Sequence, residues 1–139
     1  MNTKRYVGVI VKCDNKFLIC KRNDESLGQG EWSIPAGKVE DGEELEVSAK
    51  REFFEETAVN IEDQELKFTG MIPRYTRDGS KIKGLMYTYQ IDVKVSLKPN
   101  LEEAIDGSEH TAWGYYTLDE IKKMKINVFL YKLFEFISI

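Results

Sequence analysis

The sequence predicts a layered α/β or α+β fold in a single domain over residues 1–139, since β-type runs and amphipathic helical stretches alternate along it. Three observations carry this: apolar runs flanking a polar turn within 5–22, a four-residue apolar recurrence after Asp41, and later β-type runs followed by helical ones. A hydrophobic content of 42% suffices for one core, and no internal repeat, low-complexity tract or linker divides the chain. The formal net charge of −4 argues against extended nucleic acid as a partner, because phosphate backbones are met by clustered basic patches. Cys13 and Cys20 are too few for a disulfide framework and read as reduced thiols. The apolar stretch after Lys4 and Arg5 is cut short by Lys12 and Asp14, so neither a secretory segment nor a membrane span is expected. The expected location is the cytoplasm, with no membrane partner.

Residues 5–22 read as two β-rich runs around Asp14-Asn15-Lys16, a hairpin. Polar residues 23–31, with Gly28 and Gly30, form a loop into a short strand, Trp32-Ser33-Ile34-Pro35-Ala36. Asp41 followed by Glu44 resembles a capping box, and Leu45, Ala49 and Phe53 recur every fourth position, which predicts a helix to about Ala58. β-type runs follow at 66–76 and 84–97, joined by a turn containing Asp78-Gly79, and another lies near 111–117. Helical stretches at 118–124 and 127–138 close the chain. The second is apolar nearly all round and is predicted to be buried, either on its own sheet or in a homodimer interface, so monomer and homodimer both stay open.

The helix after Asp41 carries the chemistry. At about 100° per residue, Glu52, Glu55 and Glu56 share an arc of roughly 100°, which sets three carboxylates side by side. Like charges so placed repel by about 0.2–0.5 kcal/mol per exposed pair, and by more once water is excluded. Glu52 and Glu56 continue the stripe of Leu45, Ala49 and Phe53 that faces the protein body. Inward acids either take up protons or need a compensating cation, and a hard divalent ion satisfies all three. The plainer alternative is a charged surface helix with Arg51 paired to Glu55 one turn on.

The wider spacing separates these readings. Gly37, Glu43, Arg51, Glu52, Glu55 and Glu56 match the Nudix hydrolase signature: Gly, five residues, Glu, seven residues, Arg-Glu, apolar, any, Glu-Glu, any, Gly, apolar. Phe53 and Val59 fill the apolar places, and Ala58 stands where the signature has its late glycine. At a background of about 7% each, six such residues would coincide roughly once in 10⁷ starting points. The segment from Gly30 to Glu40 resembles the lead-in of that family, and Trp113 with Leu118-Asp119-Glu120-Ile121 resembles its later strand and short helix.

This resemblance implies an α/β/α sandwich around a mixed sheet and a Mg²⁺-dependent hydrolase of pyrophosphate bonds, with Mn²⁺ as a substitute ion. Its substrate would be a nucleotide-like small molecule: a nucleoside triphosphate, ADP-ribose or another nucleotide sugar, or a dinucleoside polyphosphate, releasing a nucleoside monophosphate. A non-catalytic nucleotide sensor on the same fold is the alternative. The implied metal ligands are Glu52 and Glu56, with Glu55 sharing or holding a further ion and the backbone carbonyl of Ala36 contributing. The base that activates water is Glu55, or one of Glu102, Glu103 and Glu109 in the later loop, with Glu109 grouped with the catalytic residues. Arg51 belongs to the catalytic group as the residue that orients the glutamates, since a guanidinium grips a carboxylate by two hydrogen bonds.

Gly37 and Glu43 are structural parts of the motif. On the helical projection Glu43 lies opposite Glu52, which predicts that it pairs with a loop cation. Arg22 and Lys38 are candidate phosphate contacts, against the alternative of exposed strand-end charges. Trp32 and Tyr75, and beside them Tyr87 and Tyr89, are candidate platforms for a base, against core packing. His110 has no partner motif and is assigned a surface or hydrogen-bonding place.

Overall fold

The structure is a computed structural model, and it describes residues 4–23, 30–76, 78–105, 110–126 and 130–133. The first two strands, β1 (Lys4–Cys13) and β2 (Lys16–Arg22), meet at a tight turn where Asp14 takes a left-handed backbone, φ 57°. Aspartate tolerates that conformation because its short polar side chain can bond locally. The expected hairpin closes only at its tip, where Lys12 pairs Phe17 and Cys13 pairs Lys16. Beyond the tip the two strands separate.

The gap is filled by the segment expected to be one short strand. Pro35 has no amide hydrogen for a ladder, and the run divides around Ile34-Pro35 into β3 (Trp32–Ser33), on β2, and β4 (Ala36–Lys38), on β1. Ile34 is buried at the divide, and the Pro35 carbonyl accepts from the Val9 amide at 3.0 Å.

The first helix, α1 (Leu45–Thr57), starts later than Asp41 predicts. Asp41 and Gly42 form a turn in which Gly42 has φ +78°, so Asp41 caps nothing; the N-cap is Glu44, with no side-chain cap bond. The far end is Ala58, as expected. It adopts φ 62°, the left-handed conformation that suits glycine, and its amide donates to the Phe54 carbonyl at 2.8 Å.

Strands β5 (Lys67–Tyr75) and β6 (Ile82–Val93) are antiparallel and joined through Asp78-Gly79, whose glycine has φ +76°. β6 ends four residues before the expected 97, because its parallel partner β1 ends at Cys13 opposite Val93 and leaves no ladder to continue. Strand β7 (His110–Thr117) pairs with β2 and runs into α2 (Leu118–Lys122), which opens on a full capping box of Thr117 and Glu120. Of the closing helix, 130–133 are helical, while 127–129 and 134–139 lie outside the described residues. Leu130 and Leu133 are buried there but Tyr131 is exposed, so burial is confined to one side of this turn.

The seven strands form one mixed sheet in the order β3-β2-β1-β6-β5, with β4 beside β1 and β7 beside β2. Side chains of β1 alternate between two apolar clusters: Tyr6 and Ile10 with Ile121, Leu130 and Leu133, and Val7, Val9 and Val11 with Ala49 and Phe53 of α1. The sheet therefore carries helical layers on both faces, the α/β/α arrangement that the family resemblance implied.

Candidate active site

The site lies where α1 crosses β4. Ala49 and Phe53 anchor the helix in the core, and the same face carries Glu56, which is only 3% exposed. Its Oε1 accepts from the Ala36 amide at 3.2 Å. The resemblance assigned Ala36 a carbonyl role toward a metal; the contact formed here is made by its amide, toward a glutamate.

Gly37 explains how Glu52 fits. A Cβ at Gly37 would fall on the Glu52 carboxylate, so glycine allows this acid to lie against β4. Arg51 links the remaining acids. Its Nη1 donates to Glu52 Oε1 at 2.9 Å and to Glu55 Oε2 at 2.6 Å. Its Nε donates to Glu43 Oε2 at 2.7 Å, while Nη2 donates to Glu43 Oε1 at 2.9 Å and to the Lys38 carbonyl at 3.0 Å.

Glu43 therefore pairs with the helix arginine, not with a loop cation. The helical projection failed because Glu43 precedes α1, and the turn that ends the lead-in folds it back over Arg51. The bidentate contact holds the Glu43 carboxyl down at about 2, and its negative charge raises the Arg51 guanidinium well above its ordinary range.

His110 stands behind Glu56, with Nε2 3.9 Å from Oε1, and is buried instead of at the surface. Burial first, and then the charge of Arg22, lower its imidazole to about 4, so it is neutral near pH 7. Arg22 is the ladder neighbour of His110, which brings this candidate phosphate contact to the same end of the sheet. His110 stands just before the β-type run expected near 111–117, and no motif in the sequence marked it.

Other candidates stand elsewhere or contribute differently. Lys38 is exposed and meets Arg51 through its carbonyl. Trp32 packs edge-on against Tyr116, with ring centroids 5.7 Å apart, on the apolar cluster under the sheet. Tyr75 has the Lys132 ammonium 5.3 Å from its ring centroid. Tyr87 and Tyr89 pack with the cluster beneath α1. Glu102 and Glu103 are exposed on a loop tied to the end of α1, where the Asn100 amide donates to the Thr57 carbonyl at 2.8 Å. Glu109 lies outside the described residues.

Glu52, Glu55 and Glu56 offer only hard carboxylate oxygens, the donor set that suits Mg²⁺, and the Gly37 cradle admits one of them to the strand. Among the described residues no three acidic, imidazole or thiol groups already stand at the spacing of a metal's ligands. Arg51 draws Glu52 and Glu55 to one nitrogen and thereby occupies one oxygen of each.

Residues 2–136 match the family model described as the NUDIX domain. A MutT-like protein of Streptomyces ambofaciens is 30% identical over 128 residues, covering 92% of this chain and 72% of the relative. A putative 8-oxo-dGTP diphosphatase of Bacillus subtilis is 26% identical, over 81% of this chain and 83% of that protein. The crystal structure of a MutT NUDIX hydrolase from Burkholderia pseudomallei superposes with a TM-score of 0.79 at 20% identity, covering 97% of this chain and 98% of that one. The match across nearly the whole chain, on a sheet layered as that superposition requires, places this protein in the NUDIX family of hydrolases.

Proposed function

We propose that the chain hydrolyses a pyrophosphate bond in a nucleoside-diphosphate-linked compound with Mg²⁺, releasing a nucleoside monophosphate. The observation that carries this reading is the Arg51-centred array, in which one guanidinium sets the angles of Glu43, Glu52 and Glu55 while Glu56 is pinned to the β4 backbone. A purely structural helix has no need to gather so many acids against a glycine. When bound, Mg²⁺ would supply positive charge to the substrate phosphates and acidify a water.

The chain's own residues divide the remaining work. Glu52, Glu55 and Glu56 would hold the ion, and Arg51 positions the first two. Glu55 is 24% exposed and keeps Oε1 clear of the Arg51 contact, which suits it to take a proton from water. Arg22, beside the buried imidazole of His110, would meet phosphate. The relative named for 8-oxo-dGTP supports a nucleoside triphosphate as substrate.

The test is a panel of nucleoside triphosphates, nucleotide sugars and dinucleoside polyphosphates, incubated with Mg²⁺ in ¹⁸O-labelled water. Release of a nucleoside monophosphate, with the label on one product phosphate, is expected. Tight Mg²⁺-dependent binding of a nucleotide without turnover would instead establish the sensor alternative.

A further inference from the structure

Beyond the acidic helix, the sheet end that carries Arg22 also holds Arg74 and Lys83. Arg74, near the end of β5, has its guanidinium carbon 4.5 Å from the centroid of the Tyr6 ring. Tyr6 is only 6% exposed, and its ring has this place because β6 carries Gly84 alongside: a Cβ there would collide with the ring and with the Lys4 carbonyl. Lys83 brings its ammonium to 5.8 Å from the same centroid. Neither Arg74 nor Lys83 forms an ion pair with a described carboxylate.

These cations also act on one another. The Arg74 guanidinium is depressed from its ordinary value by burial, and then by the charge of Arg22, against an upward pull from Tyr6 and Glu56. Lys83 is depressed by burial and then by Arg74, Lys4 and Arg22. A guanidinium used only to cover Tyr6 would gain nothing from such neighbours. Repelling cations fixed over a ring, within electrostatic reach of the buried Glu56 of the acidic site, are instead stabilised by a polyanion. The planar guanidinium fork matches two phosphate oxygens, and its contact with the buried Tyr6 ring holds it at this end of the sheet in advance.

We propose that Arg74, supported by Lys83, receives the terminal phosphate of the substrate, so that the chain prefers nucleoside triphosphates over diphosphate-bridged nucleotide sugars. A sugar at the far end has no charge to offer this site. The inference rests on the hydrolase reading above and selects among its substrate classes.

The test compares kcat/KM for a nucleoside triphosphate and for ADP-ribose in the wild type, Arg74→Gln, Lys83→Gln and the control Lys50→Gln, with thermal melting to verify folding. Calorimetric titration with inorganic tripolyphosphate, in EDTA, reads the cation site without catalysis. The wild type is expected to favour the triphosphate. Arg74→Gln should lower its kcat/KM by about 10–100-fold and that for ADP-ribose by less than about threefold, from the loss of a charge-assisted contact made by one substrate alone. Lys83→Gln, an exposed position that keeps the protein folded, should show the same selectivity at about threefold. Tripolyphosphate affinity should fall with each variant and stay unchanged in Lys50→Gln. Equal losses on both substrates, a wild-type preference for ADP-ribose, or tripolyphosphate binding indifferent to Arg74 would each overturn the proposal. If no compound is hydrolysed while tripolyphosphate binding still depends on Arg74, the hydrolase reading fails and the phosphate site stands.

Discussion

Arg51 serves five acceptor atoms with three nitrogens at 2.6–3.0 Å, and only a planar fork can do so. Lysine keeps the charge but has one nitrogen. Arg51→Lys is therefore expected to lower kcat/KM by about 10–100-fold, as for other supports of a metal site, while circular dichroism remains native. Gly37→Ala tests the neighbouring contact: its Cβ would displace the Glu52 carboxylate, and a comparable loss of activity is expected, together with weaker Mg²⁺ dependence measured as a higher half-saturating concentration. Glu43 gives a pH prediction. Its carboxyl titrates at about 2 in the folded protein against an ordinary 4.5, so its stabilising effect is full above about pH 4.5 and disappears as pH falls toward 2. Wild type should melt above Glu43→Gln at pH 6, and the gap should close in melts run between pH 4.5 and 2.

At the scale of elements, α1 shows what the sequence makes legible. The four-residue recurrence of Leu45, Ala49 and Phe53 located the helix and the inward face of Glu56, because burial follows that period. Its start lies later than the spacing implies, since Asp41 and Glu44 carry the spacing of a capping box but Gly42 turns the chain between them. Its end was legible from Ala58, where the signature carries glycine. A non-glycine residue at φ 62° costs about 1 kcal/mol, so Ala58→Gly should stabilise the fold by about 0.5–1 kcal/mol and raise Tm by roughly 2–4 °C, with activity preserved. The division of 32–38 into β3 and β4 follows from the missing amide of Pro35, which apolar content along the segment does not register.

At the scale of the molecule, layering was legible and convergence was not. The unbroken apolar run from Tyr6 to Val11 in β1 implies a sheet buried on both faces, and the two apolar clusters fill those faces. Pairing between strands far apart in sequence lacks such a period. For that reason the meeting of β1 with β6, and of β2 with β7, which brings His110 behind Glu56 and Arg74 over Tyr6, was out of reach from spacing alone. Glu52, Glu55 and Glu56 come from one helix, whereas Lys4, Arg22, Arg74 and Lys83 come from four strands that only the folded sheet unites.

The carboxylates of α1 are proposed to act through a divalent cation. The most direct test is hydrolysis of the preferred nucleotide after exhaustive chelation and again after Mg²⁺ is returned. Activity should fall to background with EDTA and recover with Mg²⁺ in the wild type, but stay at least about 100-fold down in Glu56→Gln. Undiminished turnover in the chelated, folded protein would show that these carboxylates act without a metal.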